Sequence, residues 1–153
     1  MWLISMKHRV LTLCFMLAFF CTGSSFQLFE GLDLNIQISH LRSNSGFILL
    51  SLYKSNDGFP DNAKKAYRTA KIAIKDKAAA LKLSNMPAGD YAIALLHDEN
   101  DDKKMNTNFF GIPKEGYGFS NNVMGIAGPP SFNKAKCTLK ESTPLTIKIK
   151  MKY

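Results

Sequence analysis

Hydrophobic and polar residues alternate over several short stretches of this chain, and this is the period of a β-strand. Residues 32–39 (LDLNIQIS) and 145–153 (LTIKIKMKY) are apolar at every second position. Residues 47–53 (FILLSLY) and 91–97 (YAIALLH) are apolar at nearly every position, which predicts strands buried on both faces. Weaker alternation predicts three more strands, at 68–75, near 79–83 and at 132–139. Short strands separated by turn residues predict an all-β fold, an antiparallel β-sandwich of about seven strands. One short helical turn is predicted at 61–66, with Asp61 as its N-cap.

The first 24 residues have the order of a secretory signal peptide. Basic residues at 7–9 precede an apolar run of eleven residues (10–20), and small residues follow at 22–25. This pattern predicts cleavage after Ser24, a single domain at 25–153, and export to the periplasm or the medium. An uncleaved anchor is the alternative, although the run is short for a bilayer. A lipoprotein signal at Cys21 is disfavoured by the bulky Phe20 before it.

Removal of this segment changes the cysteine content and the charge. Cys137 alone remains, so no internal disulfide is expected, and its alternating context predicts a small core residue rather than a reactive thiol. The whole chain carries 20 basic and 12 acidic residues, and loss of Lys7 and Arg9 leaves a net charge of +6. The lysines are spread along strands, which favours solvated sheet faces over a nucleic-acid patch.

Residues 97–122 (HDENDDKKMNTNFFGIPKEGYGFSNN) interrupt the alternation and predict a long loop, the candidate functional segment. Its acidic half has oxygen side chains at the spacing of positions one, three, five and nine of a twelve-residue calcium loop. The metal candidates are Asp98, Asn100, Asp102 and Asn106. Lys103 stands at the glycine position of that pattern and Phe109 at the glutamate position. The alternative is a polar turn held by bonds to backbone amides.

The second half of the loop is rich in aromatic residues and glycines. Aromatic rings can present a stacking surface to a ligand, or they can fold back and cap an open end of the sandwich. The candidate ligand-binding residues are Phe109, Tyr117, Phe119, Asn121 and Asn122.

Catalysis has little support in the sequence. His97 precedes Asp98, but adjacent residues of a strand point to opposite faces, so the pair cannot interact directly. No nucleophile, base and orienting group are marked together, and the position of His40 relative to His97 is open. We therefore expect no enzymatic activity, with a small hydrolase that uses His97 as the alternative.

Several motifs carry a family resemblance. They are ISHLRSNSGFILLSLYKSNDGFPD, NMPAGDYAIALLHDEN, the loop itself and GPPSF. Together they resemble an uncharacterised bacterial exported family called domain of unknown function 2141. The resemblance implies an exported β-sandwich and no assigned activity. The element MPAGDYAIAL is also similar to a turn and strand of transthyretin-like sandwich domains. Family members often read DENGNGKLDTN in the loop, whereas this chain has residues 101–103 (DDK) at its centre and Asn106 in place of the aspartate.

The sequence thus predicts an exported, non-enzymatic binding or structural module that uses residues 97–122. The expected partner is an unidentified ligand or protein surface. No nucleic acid, no membrane span after signal removal and no cofactor are expected, and a calcium-stabilised domain is the alternative.

Overall fold

The computed structural model describes residues 31–126, 128–141 and 144–153, and the predicted signal peptide at 1–24 lies outside them. Short helical segments are few: 3₁₀ helices at Ala63–Lys65 and Ser120–Asn122, and α1 at Phe132–Ala135. The described residues form eight strands: β1 (Leu32–Ser39), β2 (Phe47–Tyr53), β3 (Arg68–Ala73), β4 (Ala79–Met86), β5 (Gly89–Asp98), β6 (Gly116–Phe119), β7 (Cys137–Leu139) and β8 (Leu145–Lys150).

The strands form two sheets, and the prediction of an all-β sandwich is confirmed. One sheet has the order β4-β1-β8, and the other has the order β3-β2-β5-β6 with β7 also paired to β5. Most neighbours are antiparallel, but β1 and β8 are parallel, with Ile36 opposite Ile147. At one edge the sheets are joined, since the backbones of Tyr117 and Lys152 exchange hydrogen bonds of 2.9 and 2.8 Å. This junction places β6, and the loop before it, beside the end of β8.

The main core fills the space between the sheets. Alternate residues of β1, such as Leu34 and Ile36, face alternate residues of β2 and β5, such as Leu50 and Ile93, and all are buried. The polar residues between them face outward, because side chains of a strand alternate between its two faces. The predicted strands at 32–39 and 47–53 therefore match the structure residue for residue.

A second apolar cluster covers the outer face of the five-stranded sheet. Tyr53 and Ala94 point to that face, and Phe59, Phe119 and Phe132 pack over them. The Phe59 ring lies 6.0–6.1 Å from the rings of Phe119 and Phe132 in edge contacts. This second layer explains why β2 and β5 are apolar on both faces.

Three sequence predictions of local structure are wrong. Residues 132–139 are not one strand, because 132–135 form α1, which seats Phe132 in the second cluster, and only 137–139 pair with β5. The helical turn after β2 is capped by Asn62, whose side chain accepts from the Lys64 amide, and not by Asp61. The loop at 97–122 contains β6 and a 3₁₀ helix, so it is irregular only from 99 to 115.

The sequence does not predict the strand β6 (GYGF) because the inward face of this strand carries no side chains. Gly118 faces β8, where an added Cβ would lie 2.9 Å from Ile149 Cγ2, and Gly116 faces the ring of Tyr153 beyond the end of β8. Tyr117 and Phe119 occupy the opposite face. A period-two pattern was present, but it alternated aromatic residues with glycine rather than apolar residues with polar ones. No helix in the described part of the chain is long and apolar enough to cross a membrane.

Candidate functional site

The irregular segment between β5 and β6 divides into two parts with different chemistry. Residues 98–106 contain most of the acidic and amide side chains, and we call them the acidic turn. Residues 107–113 form a small hairpin, closed by a bridge between Thr107 and Pro113, and we call it the tip hairpin.

His97 lies just before the acidic turn and is completely buried. Its Nε2 is 2.8 Å from the Ser45 carbonyl oxygen, which can only accept, so Nε2 carries the proton. Its Nδ1 then accepts from the Tyr153 hydroxyl at 2.7 Å, and that hydroxyl accepts from the Arg42 amide at 3.1 Å. Both ring nitrogens are hydrogen-bonded. The ring therefore connects Ser45, in the loop before β2, with Tyr153, which follows β8. This geometry offers no free nitrogen to a substrate. His40 is exposed and contacts Ser39.

Asp98 is also buried, and its carboxylate organises the acidic turn. One oxygen accepts from the Asp102 amide at 3.2 Å and the other from the Lys103 amide at 3.0 Å. Asp101 and Lys103 adopt left-handed conformations, with φ of 59° and 63°. Glycine adopts such conformations without steric cost, whereas other residues are strained in them. The backbone therefore follows a path suited to glycine at two positions where this chain has an aspartate and a lysine.

The remaining three metal candidates gather around one another. The Asn100 amide donates to Asp102 Oδ2 at 3.1 Å and to Asn106 Oδ1 at 3.0 Å. The Asn106 amide donates to the same Asp102 oxygen at 2.9 Å, and this bond lowers the pKa of Asp102. In the described residues no three histidine, cysteine, aspartate or glutamate side chains are placed to share a metal ion. The cluster therefore consists of one carboxylate and two amides, with the Asp98 carboxylate turned to the backbone.

Glu115 fastens the acidic turn to the start of β6. It is buried, and its two carboxylate oxygens accept from the amides of Glu99 and Asn106, each at 3.0 Å. These two amides lie at opposite ends of the turn, so a single side chain closes it. A buried charged acceptor of two backbone amides is a strong restraint on loop conformation. The sequence had no signal for this role, because the partners are backbone groups.

An ion pair fastens the same turn to the loop between β1 and β2. Arg42 is paired with the carboxylate of Glu99, with Nε 3.1 Å from each oxygen, and it also donates to the Lys114 carbonyl at 2.9 Å. The guanidinium lies 4.6 Å from the centre of the Tyr153 ring. Ser43 donates to Glu99 at 2.9 Å. The pKa of Glu99 is lowered, chiefly by the Arg42 hydrogen bond.

This pair gives stability that depends on pH. Because folding lowers the pKa of Glu99, its contribution is fully present above the ordinary glutamate value of about 4.3 and is lost as the pH falls through the lowered value. We expect Glu99→Gln to lower the free energy of unfolding by about 1 kcal/mol at neutral pH, allowing for partial solvent screening. The difference from wild type should shrink toward zero in acid. Urea unfolding at several pH values measures this, with the exposed Asp61→Asn as control, and a penalty independent of pH would contradict it.

The tip hairpin presents apolar side chains to solvent. Phe109 is 98%, Phe110 83% and Ile112 58% exposed. Asn108 supports the turn, since its side-chain oxygen accepts from the amides of Phe110 and Ile112 at 2.9 and 3.0 Å. Backbone bonds from Asn108 to Ile112 and from Lys114 to Asn106 complete the hairpin. The exposed rings therefore belong to a hydrogen-bonded turn.

The predicted ligand-binding residues do not form one site. Phe109 is at the tip, but Phe119 is buried in the second cluster and Tyr117 packs partly against it. The Asn121 amide donates to the carbonyls of 134–136 at 2.9–3.3 Å, and its oxygen lies 2.9 Å from Cys137 Sγ. Asn122 bridges the backbone of β8, donating to the Lys148 carbonyl at 3.0 Å and accepting from the Lys150 amide at 2.8 Å. Both asparagines connect elements of the fold.

Cys137 is half-buried against the main core, and burial raises the pKa of its thiol. A raised pKa reduces the thiolate fraction on which nucleophilic reactivity depends. This placement agrees with the prediction of a small core residue.

Residues 36–147 match the family described as "Uncharacterized protein conserved in bacteria (DUF2141)". The chain belongs to this family. The match runs from within β1 into β8, so it includes both sheets, the acidic turn and the tip hairpin. The search of curated proteins and the search of solved structures returned no match. The resemblance seen in the sequence is thus confirmed, and the family description carries no function.

In this DUF2141 protein, the residues that shape the site include several that sequence reasoning missed. Arg42 and Glu115 restrain the acidic turn, and Ser120 joins β5 to α1. Phe110 and Ile112 share the tip with Phe109. Of these, only Phe110 had a signal available, because it adjoins Phe109 in an irregular, glycine-containing segment.

Proposed function

We propose that this protein is an exported, non-enzymatic binding module that contacts its partner through the tip hairpin. The observation that carries the proposal is the exposure of Phe109, Phe110 and Ile112 on one hydrogen-bonded turn. Single exposed apolar residues are common, but a cluster of large ones marks interaction surfaces. Export rests on the signal pattern of residues 1–24.

The support for the tip hairpin comes from its construction. The Glu115 carboxylate and the Arg42–Glu99 pair hold the acidic turn, and Asn108 holds the hairpin itself. A pre-organised surface loses less conformational entropy on binding than a mobile one. The acidic turn is therefore best understood as the support that fixes the direction of the tip.

A non-enzymatic role is favoured because the histidine and the two buried carboxylates of this region are already hydrogen-bonded within the protein. His97 has both nitrogens bonded, and the carboxylates of Asp98 and Glu115 accept from backbone amides. A catalytic base must reach the proton that it removes, and these three groups are buried.

We expect the double variant Phe109→Ser/Phe110→Ser to fold normally and to lose binding. Both side chains are exposed and contact chiefly each other, with ring centres 5.6 Å apart, so unfolding free energy should change by only about 0.5 kcal/mol. The purified protein would be immobilised and exposed to cell-envelope extract from a bacterium that carries this family. Recovered components would be compared between wild type and variant.

The matched control is Ile126→Ser, which removes another fully exposed apolar side chain outside the tip. A component recovered by wild type and by the control, but not by the double variant, is the expected result. If all three proteins recover the same components, the tip hairpin is not the contact surface and the proposal fails.

Calcium binding by the acidic turn is the second candidate. It is favoured by the convergence of Asn100, Asp102 and Asn106 and by the two left-handed residues in a loop with calcium-like spacing. A site of this kind, occupied at tenfold above its dissociation constant, would stabilise the protein by about 1.4 kcal/mol. Melting curves in calcium and in chelator test it, with Asp102→Asn as the variant that should abolish the shift. Identical curves for wild type would exclude the candidate.

A further inference from the structure

We infer that the partner of the tip hairpin is the surface of an anionic lipid bilayer, and this inference rests on the function proposed above. The rings of Phe109 and Phe110 would enter the boundary between headgroups and acyl chains. Lysines at the base of the hairpin would meet the lipid phosphates. The argument combines the shape of the tip, its area and the charges around it.

The projecting shape of the tip hairpin favours a lipid bilayer over a protein as its partner. Phe109, Phe110 and Ile112 lie on a convex turn whose side chains project into solvent. A convex apolar projection on a protein partner requires a matching pocket, whereas a bilayer interface adapts to it. Aromatic residues are also favoured at the level of the headgroups, where amphipathic proteins bury their apolar face at shallow depth.

The available area is small for a protein interface. Two exposed phenylalanine rings and one half-exposed isoleucine offer on the order of 400 Å². A standard protein–protein interface buries about 800 Å² on each partner, roughly twice as much. Shallow insertion into lipid needs no such minimum, because charged groups add to the attraction.

The charges beside the tip complement an anionic surface. Lys103 and Lys104 precede one arm of the hairpin, and Lys114 follows the other. All three are exposed, and none forms an ion pair among the residues that the structure describes. Lysines can keep the ammonium at the phosphate level while apolar neighbours go deeper.

The nearby carboxylates are already engaged within the protein. Glu99 is paired with Arg42, and Asp101 is paired with Lys71 at 2.6 Å. Asp102 accepts from asparagine side chains, and the buried Asp98 and Glu115 accept from backbone amides. The three lysines are therefore the charged groups at the tip that remain for an external partner.

The test uses the purified protein and two kinds of vesicle. One contains phosphatidylcholine alone, and the other contains equal parts of phosphatidylcholine and phosphatidylglycerol. Co-sedimentation should show at least about tenfold stronger binding to the anionic vesicles, falling as salt is added. Phe109→Ser/Phe110→Ser should weaken it by at least about tenfold, and Ile126→Ser should not. Replacing Lys103, Lys104 and Lys114 by glutamine should cost about fivefold for each lysine.

Insertion is measured separately with Phe109→Trp. The only tryptophan of the chain, Trp2, lies in the predicted signal peptide, so the new residue reports on the tip. Its emission should shift to shorter wavelength with anionic vesicles. No vesicle binding, binding that survives the double serine variant, or binding insensitive to the lysine changes would each overturn the inference. If vesicles fail but an envelope protein is still captured through the tip, the binding module stands and only the lipid partner is wrong.

Discussion

Ser120→Ala is expected to lower the free energy of unfolding by about 2–3 kcal/mol. Ser120 is completely buried at the point where β6 becomes a 3₁₀ helix. Its Oγ accepts from the Ile93 amide at 2.9 Å and donates to the Ala135 carbonyl at 2.6 Å. The hydroxyl thus accepts from a β5 amide beyond the end of β6, where no β6 carbonyl is available. It also bonds α1 to this edge of the sheet. Alanine would leave a buried donor without its partner and weaken the bonding of an acceptor, and each such loss costs about 1–3 kcal/mol.

Urea unfolding followed by circular dichroism measures this effect. Ser131→Ala is the matched control, because Ser131 precedes α1, is exposed, and makes no side-chain capping bond. It should change the unfolding free energy by about 0.5 kcal/mol or less. A loss below about 1 kcal/mol for Ser120→Ala would show that the Ile93 amide finds another acceptor and that the serine does not join these elements.

Gly118→Val is expected to destabilise the protein by about 3 kcal/mol or more. A Cβ at this position would lie 2.9 Å from Ile149 Cγ2 in β8 and 3.2 Å from Met151 Sδ just after β8, and both residues are buried. The backbone of β6 approaches β8 this closely because the neighbouring residues, Tyr117 and Lys152, are hydrogen-bonded across the junction. Valine would have to push the two sheets apart there, and overpacking of this kind costs 1–3 kcal/mol or more.

The control for this variant is Ala80→Val on β4. It adds apolar atoms at an exposed strand position, where β-branched residues are favoured. It should leave stability within about 0.5 kcal/mol of wild type. A Gly118→Val protein as stable as this control would mean that the junction between β6 and β8 opens freely.

The sequence predicts a strand well where its hydrophobic side chains follow the buried faces. Such a strand is apolar at alternate positions when one face is buried, and at nearly every position when both faces are buried. β1 shows the first pattern and β5 the second, and both were located within a residue or two. The structure differs from the prediction where the buried face of a strand carries glycines instead of side chains. Gly118 lies against Ile149 of β8 and Gly116 against the ring of Tyr153, and no periodicity of hydrophobic residues can report these close contacts.

The sequence pointed to the irregular segment as a candidate site, but it did not show how the segment is organised. Irregular composition singled out the segment after His97. In the structure His97 and Asp98 bond to different groups, His97 to the Ser45 carbonyl and Asp98 to the Asp102 amide. The sequence could not show that Glu115 binds the amide of Glu99, sixteen residues away. Nor could it separate Phe109, which is exposed, from Phe119, which is buried, because this difference depends on which ring meets Phe59.

The parallel pairing of β1 with β8 has a consequence for how the protein acquires its structure. Residues 34–39 pair with residues 145–150, so this side of β1 stays open until residues 145–150 have been synthesised. Contacts that span so many residues slow folding, and an open strand edge can pair with other chains meanwhile. Dilute conditions should accordingly favour recovery of the native protein from denaturant.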